Sequence, residues 1–528
     1  MSVIQDTLQT VMKKALALAP DSWIPGGNPD PLIRHQHGLI GAPISRIDGP
    51  QKVRGAATFA TEFVLDTMVY AALAFSTIAR GRIATLETDA AEKAPGVVLV
   101  MTYRNAPKMK PAPVFMSAPK AAGGDDLPVM QDDSIHWNGH PIAVVLAETQ
   151  EQADHAVSLI RATYEELPGT TSLAAAKAKG VKPGNFGGQP LQTVIGDAEA
   201  ALAAAPHKVD AVYTTPRHNH NAIELHGATL MWQGDDLIVH DASQLVAHEA
   251  FTLAQVFGLD EKQVHVTSPY VGGGFGAKGL WDHQILAAAA ARLAQRPVRI
   301  MLSREGVYRV VGGRTLTEQR VAIGAQADGR FDALIHTGTV VSGEHNNMPE
   351  PFILATRGAY AAANMHLDVE VATMDMLANT FMRAPGEAVG TFGLECAVDE
   401  LADRLGIDPV ELRIRNEPEK DPTTGLLFSS RNIVEAYRAG AERFGWSKRA
   451  AQPGQQRDGE WLVGMGCATG TYPYYRMPGG AARIVLAKDG HVTVSIAAHE
   501  MGMGTATAQS QVIAERLGLT MDQVTFAY

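Results

Sequence analysis

Cysteine is nearly absent from this chain: Cys396 and Cys467 are the only two in 528 residues. Two thiols cannot build a disulfide framework or ligate an iron–sulfur cluster, so any such cluster belongs to another polypeptide. Long apolar runs are missing too. The longest, LAAAAARLA from Leu286, is broken by Arg292 and is too short to span a bilayer. The start, MSVIQDTLQTVMKKALALAP, has acidic and polar residues where a signal peptide carries charge and then a continuous apolar run, and it reads as a short amphipathic helix. No export or membrane address is expected in the chain itself. Nor is there an excess of basic charge. The formal net charge is −11 with the acidic residues dispersed, which excludes the broad cationic face that nucleic-acid binding requires.

What is present is the composition of a folded protein of about three or four domains. Residues 1–45 are Pro-, Gly- and His-rich after the first helix and read as an extended N-terminal arm. From 46 to 166, β-rich pieces (MVYAALAFST, GVVLVMT, PIAVVLA) alternate with helical stretches, ending in EQADHAVSLIRATYEEL, as in an α+β domain. Residues 167–190 lack any sustained apolar period and read as a surface linker. Across 191–430, strands and helices alternate: DDLIVHDAS, KQVHVTSPY and PVRIMLS as strands, LVAHEAFTLAQVFGL and HQILAAAAARLAQ as helices. Leu394, Ala397, Val398, Leu401 and Leu405 recur at helical spacing until Gly406 and Pro409 end the run. A helix covers Asn432 to Phe444, and residues 431–528 then return to strands, LVGMGCATG with Cys467 among them. The run VTFAY has no polar tail after it, and this last unit is expected to be incomplete.

Three small-residue turns connect a strand to a helix: GGGFGAKG, MRAPGEAVG and EMGMGTATAQ. Free N–H groups at a helix start favour anions, most of all where glycine lets a ligand approach closely. Together the three would cradle a large anionic cofactor. Other readings stay open at this level. A P-loop is excluded, because Ala277 precedes Lys278 and Gly279 follows it. Gly272, Gly274 and Ala277 satisfy a loose dinucleotide fingerprint, with Glu305 placed where an acid could meet a ribose. His218, His220, Glu224 and His226 include an alternating pair that could ligate a metal, though histidines so spaced are more often satisfied by hydrogen bonds. Any one glycine turn alone could equally serve tight helix–sheet packing.

In order, GGGFGAK, MRAPGEAVGTFGLECAVDELA with LRIRN, and EMGMGTATAQ resemble the molybdenum-binding large subunit of the xanthine dehydrogenase/aldehyde oxidase family, nearest to bacterial periplasmic-type aldehyde oxidoreductases. The resemblance runs from RIDGPQKVRGAATFATEF, near Arg46, to the last residue. It implies an α+β fold: an α/β hammerhead-like domain (46–166), then a first (191–430) and a second, truncated (431–528), molybdenum-cofactor-binding domain of mixed α/β type. The implied cofactor is molybdenum–molybdopterin cytosine dinucleotide, the metal held by the pterin and by no protein ligand. By the resemblance, Gly273, Gly274 and Gly276 would let the pterin approach and Phe275 would stand beside the metal and the substrate. Gln244 would hydrogen-bond an oxo group on molybdenum. Arg383 and Ala384 would contact the centre through backbone, and Gly502, Met503 and Gly504 would hold the pyranopterin and its phosphates. Where the family often has Gln, Met503 stands, so that contact is assigned to backbone. Tyr472 aligns with an aromatic that flanks the substrate.

Two departures qualify these expectations. Purine-oxidising members carry Glu directly after the loop lysine, whereas Gly279 stands here, which favours an aldehyde, an aromatic one in particular, over a purine. The general-base Glu of a C-terminal Gly-x-Gly-Glu motif is not present in the 528 residues, and Glu387 and Glu500, each at a helix-opening turn, are expected to cap rather than replace it. The implied enzyme oxidises an aldehyde to a carboxylic acid with water as oxygen source. Electrons would pass to a [2Fe-2S] small subunit and an FAD-binding medium subunit of a heterotrimer. Its compartment would be the cytoplasm, or the periplasm by co-export with a signal-bearing partner. The rival readings are an inactive cofactor-binding fragment and a dinucleotide-dependent dehydrogenase.

Overall fold

The computed structural model of the chain describes residues 38–346, 348–428, 430–472, 481–496 and 500–527. The expected N-terminal helix and most of the 1–45 arm lie outside the described residues. Seven strands form the largest sheet, in the order Val264–Thr267, Asp236–Asp241, Gly227–Gln233, Val298–Met301, Val69–Phe75, Pro141–Ala147 and Val97–Met101. VYAALAF and PIAVVLA are almost wholly apolar, which suits strands covered on both faces. Val69–Phe75 pairs antiparallel with Pro141–Ala147 but parallel with Val298–Met301, so strands from both sides of 167–190 share one sheet.

Two helices on this sheet flank the glycine loop. Helix α1 (Val246–Phe257) ends at Gly258 and packs beside Val264–Thr267. Helix α2 (Asp282–Ala294) buries Ile285 to Ala291, its run of alanines lying against the sheet. On the hammerhead side, the helix Gln150–Leu159 starts at a Thr149–Gln152 capping box. It stops at Leu159, earlier than its sequence suggests. RATYEE is instead a strand paired with Gly81–Glu87, its Thr163 and Tyr164 suiting a pleated surface better than a helix.

The second sheet has the order His207–Thr215, Thr317–Ala325, Phe331–Gly343, Asn364–Met374 and Gln192–Ile195. Helix α3 (Glu387–Leu405) covers it with the expected stripe, Leu394, Ala397, Val398 and Leu401 buried and Leu405 packed alongside, and ends at left-handed Gly406. Within 167–190, a short helix (Leu173–Lys177) and a two-residue hairpin lie beside this sheet, where Val181 and Val371 exchange both backbone hydrogen bonds. Beyond the helix Ile433–Phe444, LVGMGCATG is not the expected strand. Only Trp461–Leu462 pairs, and residues 463–470 are irregular, because Gly464, Gly466 and Gly470 offer no side chains to pack one face. The last unit is a three-stranded sheet, Ala482–Leu486, Val492–Ile496 and Val524–Ala527, under helix α4 (Thr505–Leu517). Among the described residues no helix is long and apolar enough to cross a membrane.

Candidate cofactor site

Gln244 follows strand Asp236–Asp241 and precedes α1, held there because Ser243 and Ser268 exchange hydrogen bonds across two strand ends. Its backbone N–H donates to Lys278 O at 2.8 Å, and its Oε1 accepts from the amides of Gly276 (2.9 Å) and Lys278 (3.4 Å). The side chain is thereby built into the glycine loop. A Cβ at Gly274 would fall 2.4 Å from Gln244 Cδ, so glycine there is a condition of this contact. Only Nε2 points elsewhere, to Met501 Sδ at 2.8 Å. A thioether is a weak acceptor, which leaves that N–H available to a better one.

Both ends of the glycine loop are pinned by one acid. Glu224 Oε2 accepts from Gly272 N at 2.6 Å and pairs with the buried Lys278 ammonium. Burial holds the Lys278 pKa below its ordinary value, against the pull of Glu224. The loop does not open α2 directly, as the sequence suggested: α2 starts at Asp282, behind a Trp281–Gln284 cap. Instead it forms its own amide concavity. Gly273 and Phe275 adopt φ of 97° and 53°, and the N–H groups of Gly273, Gly274 and Phe275 have no partner among the described residues. Successive amides with alternating handedness form an anion-binding nest. A non-glycine residue at positive φ is strained backbone of the kind that gathers at functional sites. Phe275 is 42% exposed there.

The second loop, 381–386, lies directly against the first. Arg383 N–H donates to Phe275 O at 2.8 Å, and Thr380 Oγ1 to Gly276 O at 3.4 Å. Ala384, the second strained residue, has φ of 61°. Arg314 donates through Nη2 to the carbonyls of Met382, Arg383 and Ala384, turning all three toward the core. The third loop reaches the site through Met501. Here the amides of Gly502 and Gly504 are not free, as the helix-start argument expected: Glu500 Oε1 accepts from both, at 2.9 and 3.0 Å, and its Oε2 from Ala506. Met503 between them is 61% exposed.

The second loop thus binds the first, which holds Gln244, and the third meets Gln244 through Met501, while the cavities beside them differ in their walls. Gly276 and Gly279 line one with Phe115, Leu245, Met348 and Phe381, while Ala384 and Glu387 line another with Cys396 and Cys467. Tyr472 sits elsewhere, on a groove of about 680 Å³ with Arg357, Phe428 and Arg431, and Phe275 is not among its walls. The neighbouring 473–480 of the TGTYPYY stretch lie outside the described residues. The histidines do not form a metal set: His220 bonds Phe381 O, His226 faces Ala277 O, and Glu224 is committed to Lys278. Among the described residues no group of three His, Cys, Asp or Glu could hold a metal ion. Glu305, the candidate ribose acid, pairs with Arg309 on its own helix. Sequence reasoning missed the roles of Arg314 and Arg46, and read Glu224 as a possible metal ligand where it is the partner of Lys278. A lysine between Ala277 and Gly279, and an arginine after Gly312 and Gly313, are signals of a buried charge needing a distant partner.

Behind Gln244 lie two buried acids, Asp241 and Glu249. Burial pushes Asp241 up to about 6, and burial together with Asp241's charge raises Glu249 further. Below pH about 4 both folded and unfolded Asp241 are protonated. As pH rises from there to about 6, the unfolded carboxyl ionises while the folded one keeps its proton, so stability falls with pH. Asp241→Asn, which keeps an acceptor for Gln284 Nε2, should therefore gain about 3 kcal/mol at pH 7 and little at pH 4. Urea unfolding at the two pH values measures it.

Compared with known proteins, residues 54–168 match the family model described as the aldehyde oxidase and xanthine dehydrogenase a/b hammerhead domain, and residues 181–417 and 439–528 match molybdopterin cofactor-binding domains. The aldehyde oxidoreductase molybdenum-binding subunit PaoC of Escherichia coli K12 is 39% identical over 496 residues, covering 92% of this chain and 65% of that protein. A putative xanthine dehydrogenase molybdenum-binding subunit, XdhA, of the same organism is 28% identical, covering 91% and 66%. This chain therefore spans about two thirds of the length of these relatives or slightly less. Among solved structures, quinoline 2-oxidoreductase from Pseudomonas putida 86 superposes with a TM-score of 0.78 at 21% identity, covering 92% of this chain and 66% of that one. Aldehyde oxidoreductase from Desulfovibrio gigas gives 0.74 at 21%, covering 93% and 56%; both are likenesses of fold.

Proposed function

Because the chain belongs to the aldehyde oxidase and xanthine dehydrogenase family of molybdenum enzymes, we propose that it is the molybdenum-binding part of an aldehyde-oxidising enzyme. The observation that carries this reading is the junction at Gln244, where its side-chain N–H meets only a thioether and three successive backbone amides, Gly273 to Phe275, have no partner among the described residues.

The donor set suits a molybdenum–pterin group carrying phosphates, in its cytosine dinucleotide form. When bound, that group supplies the redox and oxygen-transfer chemistry. The protein's own residues bind and orient. The nest at Gly273–Phe275 receives negative charge, Gln244 Nε2 donates to an oxygen on the group, and Phe275 is an apolar wall beside it. Of Arg383, Ala384, Gly502, Met503 and Gly504, the amides of Arg383, Gly502 and Gly504 are held by Phe275 O and Glu500, so the backbone N–H groups left for the group are those of Ala384 and Met503. Phe115, Leu245, Met348 and Phe381 wall a cavity beside Gly279 of only about 40 Å³, the Phe115 and Phe381 rings meeting edge to face at 5.5 Å, so the preference for an aromatic aldehyde rests on the family resemblance and not on this space. Gly279 supplies no side chain to grip a polar heterocycle.

Proton removal needs a free carboxylate. Glu224, Glu350 and Glu500 are each committed to a cation. Glu387 differs: its Oε2, buried beside Ala384, has no hydrogen-bond partner among the described residues, and burial raises its pKa. By the family resemblance the base is placed on a Gly-x-Gly-Glu segment, with [2Fe-2S] and FAD subunits as electron acceptors. Purified from cells that make the molybdenum cofactor, the chain should hold near-stoichiometric molybdenum and release CMP on acid hydrolysis. Tight NAD binding with no molybdenum would overturn the reading. Aldehyde turnover with an artificial acceptor by this chain alone would remove the need for the added segment.

A further inference from the structure

The segment RIDGPQK, residues 46–52 at the start of the region read as the hammerhead domain, touches both the third loop and the flank of the first. Arg46 Nη1 donates to Gly502 O at 2.7 Å, and its Nη2 lies 3.0 Å from Glu500 Oε1. Asp48 holds the guanidinium from its other side with two bonds, of 3.0 and 2.8 Å, and is itself paired with Lys52. Ile47 N–H donates to Thr507 Oγ1 at 3.0 Å on the first turn of α4. Five residues on, Gln51 bonds the Tyr270 hydroxyl and Lys52 lies over the Tyr270 ring, one residue before the glycine loop.

Glu500 explains why this matters. It is 1% exposed and accepts from three amides of the third loop, and Arg46 is its one cationic partner among the described residues. A buried carboxylate left without its cation is strongly destabilised, and it relaxes by turning toward water. Were Glu500 to turn, the bonds that hold Gly502 and Gly504 at φ of 113° and 83° would go with it. Met501, the third loop's contact with Gln244, belongs to the same turn.

We propose that Arg46, oriented by Asp48, is a positioning residue: through Glu500 it holds the 500–504 loop against Gln244 in the conformation that retains the molybdenum cofactor. The inference rests on the function proposed above. Its test compares the full chain with Arg46→Ala, Arg46→Lys and, as a surface ion-pair control in the hammerhead domain, Arg82→Ala. Two quantities are read: the rate of molybdenum loss on dilution, and hydrogen exchange of peptides covering 500–508. Arg46→Ala should lose molybdenum about tenfold faster and exchange Gly502, Gly504 and Ala506 about tenfold faster, the size expected for one charge-assisted contact. Arg46→Lys should recover part of both, because an ammonium can pair with Glu500 but cannot also fork to Gly502 O and Asp48. Arg82→Ala should match the wild type. Unchanged exchange at 502–506 in Arg46→Ala would overturn the proposal whatever the metal content. So would a general rise in exchange across the whole chain with no rescue by lysine, which marks a merely structural residue. A wild-type chain without molybdenum would instead defeat the functional reading, and the exchange comparison would still decide the role of Arg46 in ordering the loop.

Discussion

Arg314→Met should cost about 3–5 kcal/mol of stability, the range for removing one partner of a buried ion pair, and should empty the cofactor site. Arg314 is 5% exposed, gathers three successive carbonyls of the second loop, and lies with Nε 3.2 Å from Glu350 Oε1. Glu350 accepts from Gly386 N at 2.7 Å, so the same carboxylate sets the start of α3. Burial already raises the Glu350 pKa, and the Arg314 charge is among the terms opposing that rise. Methionine fills similar volume but leaves Glu350 without its cation and the carbonyls of Met382 and Arg383 without a donor, while Ala384 O keeps the Ala388 N–H. Arg314→Lys should recover less than half, since one ammonium cannot span the carbonyl fork and the acid together. Urea unfolding gives the stability term and metal analysis the other. An unchanged midpoint in Arg314→Met would mean that the carbonyl cluster is not what fixes residues 382–384.

Gly276→Ala should be nearly as severe, at about 3 kcal/mol, for a steric reason. Gly276 has φ of 105°, and a Cβ there would lie 2.3 Å from Phe381 O, a backbone atom. That carbonyl also receives the 2.6 Å bond from His220 Nε2, so it cannot retreat without losing it. The first and second loops would be pushed apart at the point where Arg383 N–H meets Phe275 O. Gly258→Ala is the comparison. Its φ of 69° carries a conformational penalty, but nothing lies within 4 Å of the added carbon, and about 1 kcal/mol is expected. Equal losses at the two positions would show that backbone conformation, not contact between the loops, sets the cost.

Local signals in the sequence carried much of this architecture. The apolar stripe of α3, its stop at Gly406, and the strand–Gln244–helix order depend on neighbours within a few residues, and each appears in the structure. The fold class and the family were legible for a related reason: three glycine-rich loops in fixed order constrain backbone far more than composition does. What stayed hidden was set by partners far along the chain. That Glu500 occupies the amides of Gly502 and Gly504 depends on Arg46, 454 positions away. That Lys278 is buried depends on Glu224, and the carbonyls of 382–384 depend on Arg314. The overlong helix read into RATYEE and the strand read into LVGMGCATG share a simpler cause: an apolar or glycine-rich run does not by itself say which neighbour it will meet.

The parallel pairing of Val69–Phe75 with Val298–Met301 also bears on synthesis. At roughly 5–20 residues per second on the ribosome, the earlier strand emerges roughly 10–50 s before its neighbour exists. Throughout that wait VYAALAF offers one unpaired apolar edge, a template for aggregation. Nascent chains of this protein are thus expected to gain from chaperone cover at Val69–Ala71, the three residues that pair with Val298–Ile300, until about residue 300 has left the exit tunnel.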